Sequence, residues 1–321
     1  MLDVFYTVDV EVGCGGWQDL DRKFPDAFRR YIHGPTTRGD YGLPYQLRLL
    51  REHGLTGVFF IEPLFALRFG QPALDEIVGL VRESGHEVQL HLHTEWVDEA
   101  REPVLPGPQR KRQHLRYFSR EEQTVLIAKG LELMRRAGVH DINTFRAGSF
   151  AFNHDTLPAL AANGMAFDSS YNASMFGPDS GVSPGQWLVE PTVVDGVMEY
   201  PMTVYRDGTS TLRHAQLTAC SWPELEGLLW QAAEQGRQSF VLLSHGFELL
   251  NRAKDRPDEV VVRRFERLCA FLDRHRDSFA VRGFKGLTTP SVAARQGVPL
   301  VSPLHRTGGR MLSQLYRRRF G

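Results

Sequence analysis

Nine ionisable side chains stand where short apolar runs stop. TVDVEV ends on Asp9 and Glu11, TGVFFIE on Glu62, and QLHLHTEW on His91, His93 and Glu95. NTFRAGS carries Arg146, AFDSS carries Asp168 and VLLSHGFE carries His245. Asp9 and Glu11 are two residues apart on a strand and so share a face. His91, His93 and Glu95 add nitrogen and oxygen donors within one short stretch. A mixed oxygen and nitrogen donor set suits a divalent cation: zinc, manganese, cobalt or iron. The three cysteines, Cys14, Cys220 and Cys269, are too few and too scattered for a sulfur-ligated zinc site or a disulfide framework.

The elements that must hold these groups recur as a cassette of amphipathic helix, glycine and apolar strand. Leu47 and Leu50 lead to Gly54, and Leu74, Ile77, Val78 and Val81 to Gly85. Ile127, Leu131 and Met134 lead to Gly138, Leu157 and Leu160 to Gly164, and Leu225, Leu228, Leu229 and Ala232 to Gly236. A glycine just past a helix ends it in the left-handed conformation. Ser119 with Glu122 and Ser221 with Glu224 read as capping boxes. A last helix over Val261, Phe265, Leu268 and Leu272 precedes SFAVRGF.

Helices alternating with buried strands predict a parallel sheet with helices outside it. No dinucleotide fingerprint follows the first strand, since GCGG at 13–16 lacks the required spacing. The expected fold is therefore α/β, a distorted barrel of about seven parallel strands. It forms one domain over 1–295, with loop excursions at 97–118 and 171–220 and a basic tail over 296–321. In such a barrel the C-terminal strand ends form the reactive rim.

On that rim the ordered set TVDVE, GHEVQLH, FRAGSF, DSS and LLSHGFEL resembles the polysaccharide deacetylase family (carbohydrate esterase family 4, NodB homology domain), from about residue 4 to 290. The resemblance implies a distorted (β/α) barrel and a divalent metal, zinc first, used to remove acetyl groups from an N-acetylated sugar or glycan. It implies Asp9 as catalytic base, Glu11 and His91 as metal ligands, Arg146 as the partner of the base and His245 as general acid. It also implies an oxyanion contact at the backbone near Ser149, and Asp168 as the residue that orients or tunes His245. The family's second histidine position holds Glu95 here, with His93 two residues before it. The remaining ligand is then Glu95 or His93, or it is lost. Glu62 and Trp96 are candidate substrate contacts, and Trp17 and Phe247 candidate stacking rings. Two other readings share the fold: hydrolysis of a different amide, with or without metal, and a catalytically silent glycan binder.

Lysine plus arginine and aspartate plus glutamate both number 38 among 321 residues, a balance that excludes a general nucleic-acid binder. The acids at 3, 9 and 11 rule out a secretory core there, and no apolar run reaches the roughly 18 residues that span a bilayer. A cytoplasmic protein is expected. The tail carries arginines 306, 310, 317, 318 and 319 and no acid, and reads as a solvated terminus or as a surface helix touching anionic lipid at the inner membrane face.

Overall fold

Alternation along the first strand builds the two sides of the sheet. The computed structural model describes residues 1–107, 111–288 and 297–320. In Leu2–Val10, residues Val4, Tyr6, Val8 and Val10 pack outward under the helices, while Phe5 joins Val58, Phe60, Phe167, Met198 and Val241 inside the curl of the sheet. Thr7 and Asp9 share the parity of Phe5 and so face the interior.

The main sheet runs in the order Ser239–His245, Leu2–Val10, Gly57–Ile61, Glu87–Leu92, Thr144–Ala147, Phe167–Asp168, Val197–Glu199, Thr192–Val194. Phe279–Val281 also pairs with Leu2–Val10. All of these ladders are parallel except the final hairpin. The sheet curls into a half-barrel. Short backbone bonds narrow the gap: Thr203 N–H donates to Val241 O (3.3 Å), Leu243 N–H to Ala215 O (3.0 Å) and Leu217 N–H to Leu243 O (2.9 Å).

The expected helices form at Leu43–Glu52, Gln71–Glu83, Arg120–Arg136, Thr156–Ala162, Trp222–Glu234 and Glu259–Arg274. Both capping boxes are made, by Ser119 with Glu122 and by Ser221 with Glu224. Gly85 and Gly236 follow their helices at φ 78° and 64°, a conformation in which a Cβ would be strained.

Two expectations are sharpened. Four short strands of 171–220 join the domain's sheets. Val197–Glu199 continues the main sheet beside Phe167–Asp168, and Val204–Arg206 pairs with both Leu212–His214 and Leu300–Val301. The tail is neither frayed nor separate. Leu304–Phe320 is a helix whose Arg310 is buried against Asp207 (2.6 Å) and Glu224 (3.1 Å). Its Thr307 Oγ1 accepts from Gly208 N–H (2.8 Å), and Arg317 pairs with Asp258 at 2.6 Å. Residues 108–110 of the 97–118 loop, and positions 296 and 321 of the tail, lie outside the described residues.

Removing one member of a buried ion pair leaves its partners charged in a low dielectric. Asp207 keeps Arg213 at 2.7 Å, but Arg310→Ala leaves buried Glu224 without its cation, and we expect it to lower the unfolding free energy by about 3 kcal/mol in urea titrations.

Candidate active site

The parallel ladders bring the ionisable strand ends together in pairs. Asp9 is the register partner of His245, and His91 that of Arg146. Arg146 is wholly buried inside the curl, with its guanidinium carbon 4.2 Å from the centre of the Phe60 ring. Its Nη1 donates to Asp9 Oδ1 (2.8 Å) and Thr7 Oγ1 (2.9 Å). Its Nε donates to Ser169 O (3.1 Å) and its Nη2 to Ser169 Oγ (3.1 Å). Burial raises the Asp9 carboxyl pKa, but Arg146, with His91 and His245, outweighs burial and holds it below its ordinary value.

Glu11, His91 and His93 each offer a ligand atom, all within 4.8 Å of one another. The His91 Nδ1 lies 2.8 Å from the carbonyl oxygen of Arg146. A carbonyl can only accept, so Nδ1 carries the hydrogen and neutral His91 keeps its lone pair on Nε2, which faces Asp9 and Glu11 at 3.9 Å. His93 Nε2 stands 2.5 Å from Glu11 Oε2, and its Nδ1 stands 3.3 Å from Glu95 Oε1. Burial disfavours charge on His93, but the flanking Glu11 and Glu95 override it and push its pKa well above the usual imidazole range. Glu95 lies behind His93, against its Nδ1 and outside the cluster. Of the two residues left open by the sequence, His93 thus belongs to this cluster and Glu95 does not. Two imidazole nitrogens and one carboxylate, with both Nδ1 atoms tied to acceptors, fit a divalent cation that keeps open positions.

Gly148 makes this approach possible. A Cβ there would stand 2.7 Å from Leu92 O and 2.8 Å from His93 Nδ1. The next two residues, Ser149 and Phe150, both hold left-handed backbone, at φ 55° and 56°. Such conformations cost about 1–3 kcal/mol each in non-glycine residues. The turn expected to make an oxyanion contact at Ser149 is thus strained and lies against His93.

His245 Nδ1 pairs with Glu248 Oε1 at 2.8 Å. Burial disfavours the charged ring, yet Glu248, with Glu11 and Asp9, raises its pKa to about 9. This corrects the role expected for Asp168. Phe167 takes the interior side of its strand, so Asp168 faces the other way. There it accepts from Ser170 Oγ (2.6 Å) beside buried Glu199. Burial, then Asp168, push Glu199 well above the carboxylate range. Ser170 Oγ also accepts from Ala147 N–H (2.9 Å), which ties this buried pair to the strand that carries Arg146.

Of the candidate substrate contacts, Glu62 turns away from solvent, while Trp96, though mostly buried, lines the hollow beside Glu11, His93 and Glu95. Glu62 is fully buried and accepts from the N–H groups of Leu64 (2.7 Å) and Phe65 (3.3 Å), and burial raises its pKa to about 8. Trp96 is buried, with its ring edge-on to Trp17 and Phe69. Phe247 remains available beside His245, with ring centres 5.4 Å apart. A hollow of about 160 Å³ opens at Glu11, His93 and Glu95. A cleft of about 1130 Å³ runs past His245, Phe247, Arg252 and Lys254.

Sequence reasoning missed Glu248, Gly148, Glu199 and Gln46. Gln46 Nε2 donates to the carbonyls of His245 (2.9 Å) and Gly246 (3.1 Å), fixing the end of that strand. A carboxylate three residues after His245 in SHGFE was the available signal for Glu248. Nothing in the local sequence marks Gln46 or Glu199.

No family model matches the chain, and no curated protein matches it. Among solved structures, a protein from Mycobacterium smegmatis designated a polysaccharide deacetylase aligns with a TM-score of 0.51 at 20% identity, over 91% of this chain and 95% of that one. A family 4 carbohydrate esterase from Streptomyces lividans, solved with acetate, aligns with a TM-score of 0.44 at 14% identity, over 92% and 97%. The chain has the NodB-like polysaccharide deacetylase fold.

Loss of a partner that orients a ligand histidine costs about 10–100-fold in metal affinity. We expect Glu95→Ala to weaken zinc binding by about that factor. Gly148→Ala displaces His93 and should act in the same direction. Competition against a chromophoric chelator measures both.

Proposed function

We propose that this protein is a metal-dependent hydrolase that removes an N-acetyl group from a sugar in surface-polysaccharide or glycolipid assembly. The observation that carries the reading is the pairing of opposites across one ladder. Asp9, kept ionised by Arg146, stands in register with His245, kept protonated by Glu248, and both border the Glu11, His91 and His93 cluster. Amide hydrolysis needs this division, a base for the attacking water and an acid for the leaving amine.

A divalent cation held by Glu11, His91 and His93 supplies Lewis acidity toward a carbonyl oxygen and toward water. Asp9 takes the proton of the attacking water, and Arg146 keeps that carboxylate fixed and charged. His245 delivers a proton to the departing nitrogen, and Glu248 keeps Nδ1 occupied so that Nε2 is the donating atom. Phe247 offers a ring face beside the acid for a sugar. Two imidazoles with one carboxylate favour zinc, with manganese, cobalt or iron as alternatives. The three unpaired cysteines fit action on cytoplasmic intermediates, and no described helix is long and apolar enough to cross a membrane.

Acetate release from N-acetylated sugars tests the reading. It should appear with zinc-loaded protein and stop with a chelator; silence on all such substrates would overturn it. Asp9→Asn and His245→Ala should each lower turnover by about a hundredfold or more.

The pH dependence has a definite sign. His245 is charged below its raised pKa, so the acid form is lost as pH climbs through about 9, and kcat/KM should fall there. Glu248→Gln removes the charge that raises it, and the alkaline limb should move down by about one to three units.

A further inference from the structure

The C-terminal helix is amphipathic in an inverted sense. Its polar side chains Thr307, Arg310 and Arg317 turn inward, to Gly208, to Asp207 and Glu224, and to Asp258. Its outward stripe is apolar: Leu304 is 66% exposed, Met311 42%, Leu312 70%, Leu315 60% and Tyr316 58%. These positions recur at three-, four- and seven-residue spacing and lie on one face. Five large apolar side chains on one exposed helix face mark a docking surface.

The surroundings identify the occupant. Along one edge of the stripe lies a cavity of about 440 Å³ lined by Arg263, Arg267, His305 and Arg306, with Trp222 at its wall and no acid among its lining residues. His305 and Gly309 line it and stand one step round the helix from Leu304, Leu312 and Tyr316. No acidic residue follows Asp277 in the chain. A second copy seated on this face would bring the same arginines against each other, whereas an anionic surface neutralises them. A basic rim beside an apolar stripe is the pattern of a helix lying in a bilayer interface.

We propose that the outward face of Leu304–Phe320 docks the protein on an anionic phospholipid bilayer. Leu304, Met311, Leu312 and Leu315 enter the interface, and Arg263 and Arg267 hold headgroup phosphates. This differs from a charge-driven tail, because two of the tail's arginines are spent on the domain and the leucines provide the insertion.

Vesicle flotation of the full chain tests it, with vesicles of phosphatidylcholine alone or mixed with phosphatidylglycerol. Binding should require phosphatidylglycerol and weaken with salt. Leu312→Glu and Leu315→Glu should each weaken it by about tenfold. The double variant Arg263→Gln/Arg267→Gln should weaken it only on the anionic vesicles. These side chains are exposed, and unchanged thermal unfolding confirms that the variants fold. Failure of the wild type to float, or leucine variants that float equally well, would overturn the proposal. So would a dimer that the leucine variants dissociate, since a second copy would then occupy the face. Flotation does not depend on catalysis, so failure here leaves the hydrolase reading intact, and failure of that reading leaves this one intact.

Discussion

A guanidinium buried inside the curl of the sheet is the constraint on which the site depends. Arg146 has no solvent contact, and an uncompensated cation there would cost several kcal/mol. Its compensation comes from two strands and a loop: Thr7 and Asp9, the Phe60 ring face, and the carbonyl and hydroxyl of Ser169. Each partner must be in place for the others to be tolerable, because a half-satisfied buried network is worse than none. The buried pair of Asp168 and Glu199 fits this logic. Asp168 holds Ser170 on the backbone of Ala147, and so braces the strand that presents the arginine.

From that anchor the two protonation states follow. One carboxylate beside a fixed cation stays charged, and one imidazole beside a fixed carboxylate also stays charged. Neither group would hold its form through burial alone, since burial opposes the ionised form of both. The cluster between them obeys the same rule. His93 sits between Glu11 and Glu95, and Glu95 has a single job at the far nitrogen of the ring. A carboxylate in the position where the resemblance leads one to expect a histidine thus serves the neighbouring histidine.

Much of this was legible because a strand has a period of two. Phe5, Thr7, Asp9 and Glu11 share a parity, and the parity that packs Phe5 inside also delivers Asp9 to the rim. The same arithmetic applied to Phe167 would have turned Asp168 away from His245. The motif match pulled the other way, and the structure follows the alternation. Register was beyond reach. Nothing near Asp9 states that it will lie opposite His245, 236 residues later, since that depends on which strands neighbour each other. Glu62 misled for a related reason: a carboxylate at a strand end also satisfies the N–H groups of the turn that follows, and here it does so fully buried.

Which way the C-terminal helix faces was unreadable for the converse reason. Its arginines look unbalanced in the linear sequence because their acids lie at 207, 224 and 258, far upstream and far from one another. A net charge of zero records that the acids exist somewhere and is silent on where they meet the arginines. Once Arg310 and Arg317 are drawn inward, the rotation of the helix is set. A helix of 3.6 residues per turn cannot turn both classes inward. With the ion pairs on the domain side, the leucines have only the outer side left. The exposed apolar face follows from the buried charges, so anything that covers it is recognised by the side of the helix that the domain does not use.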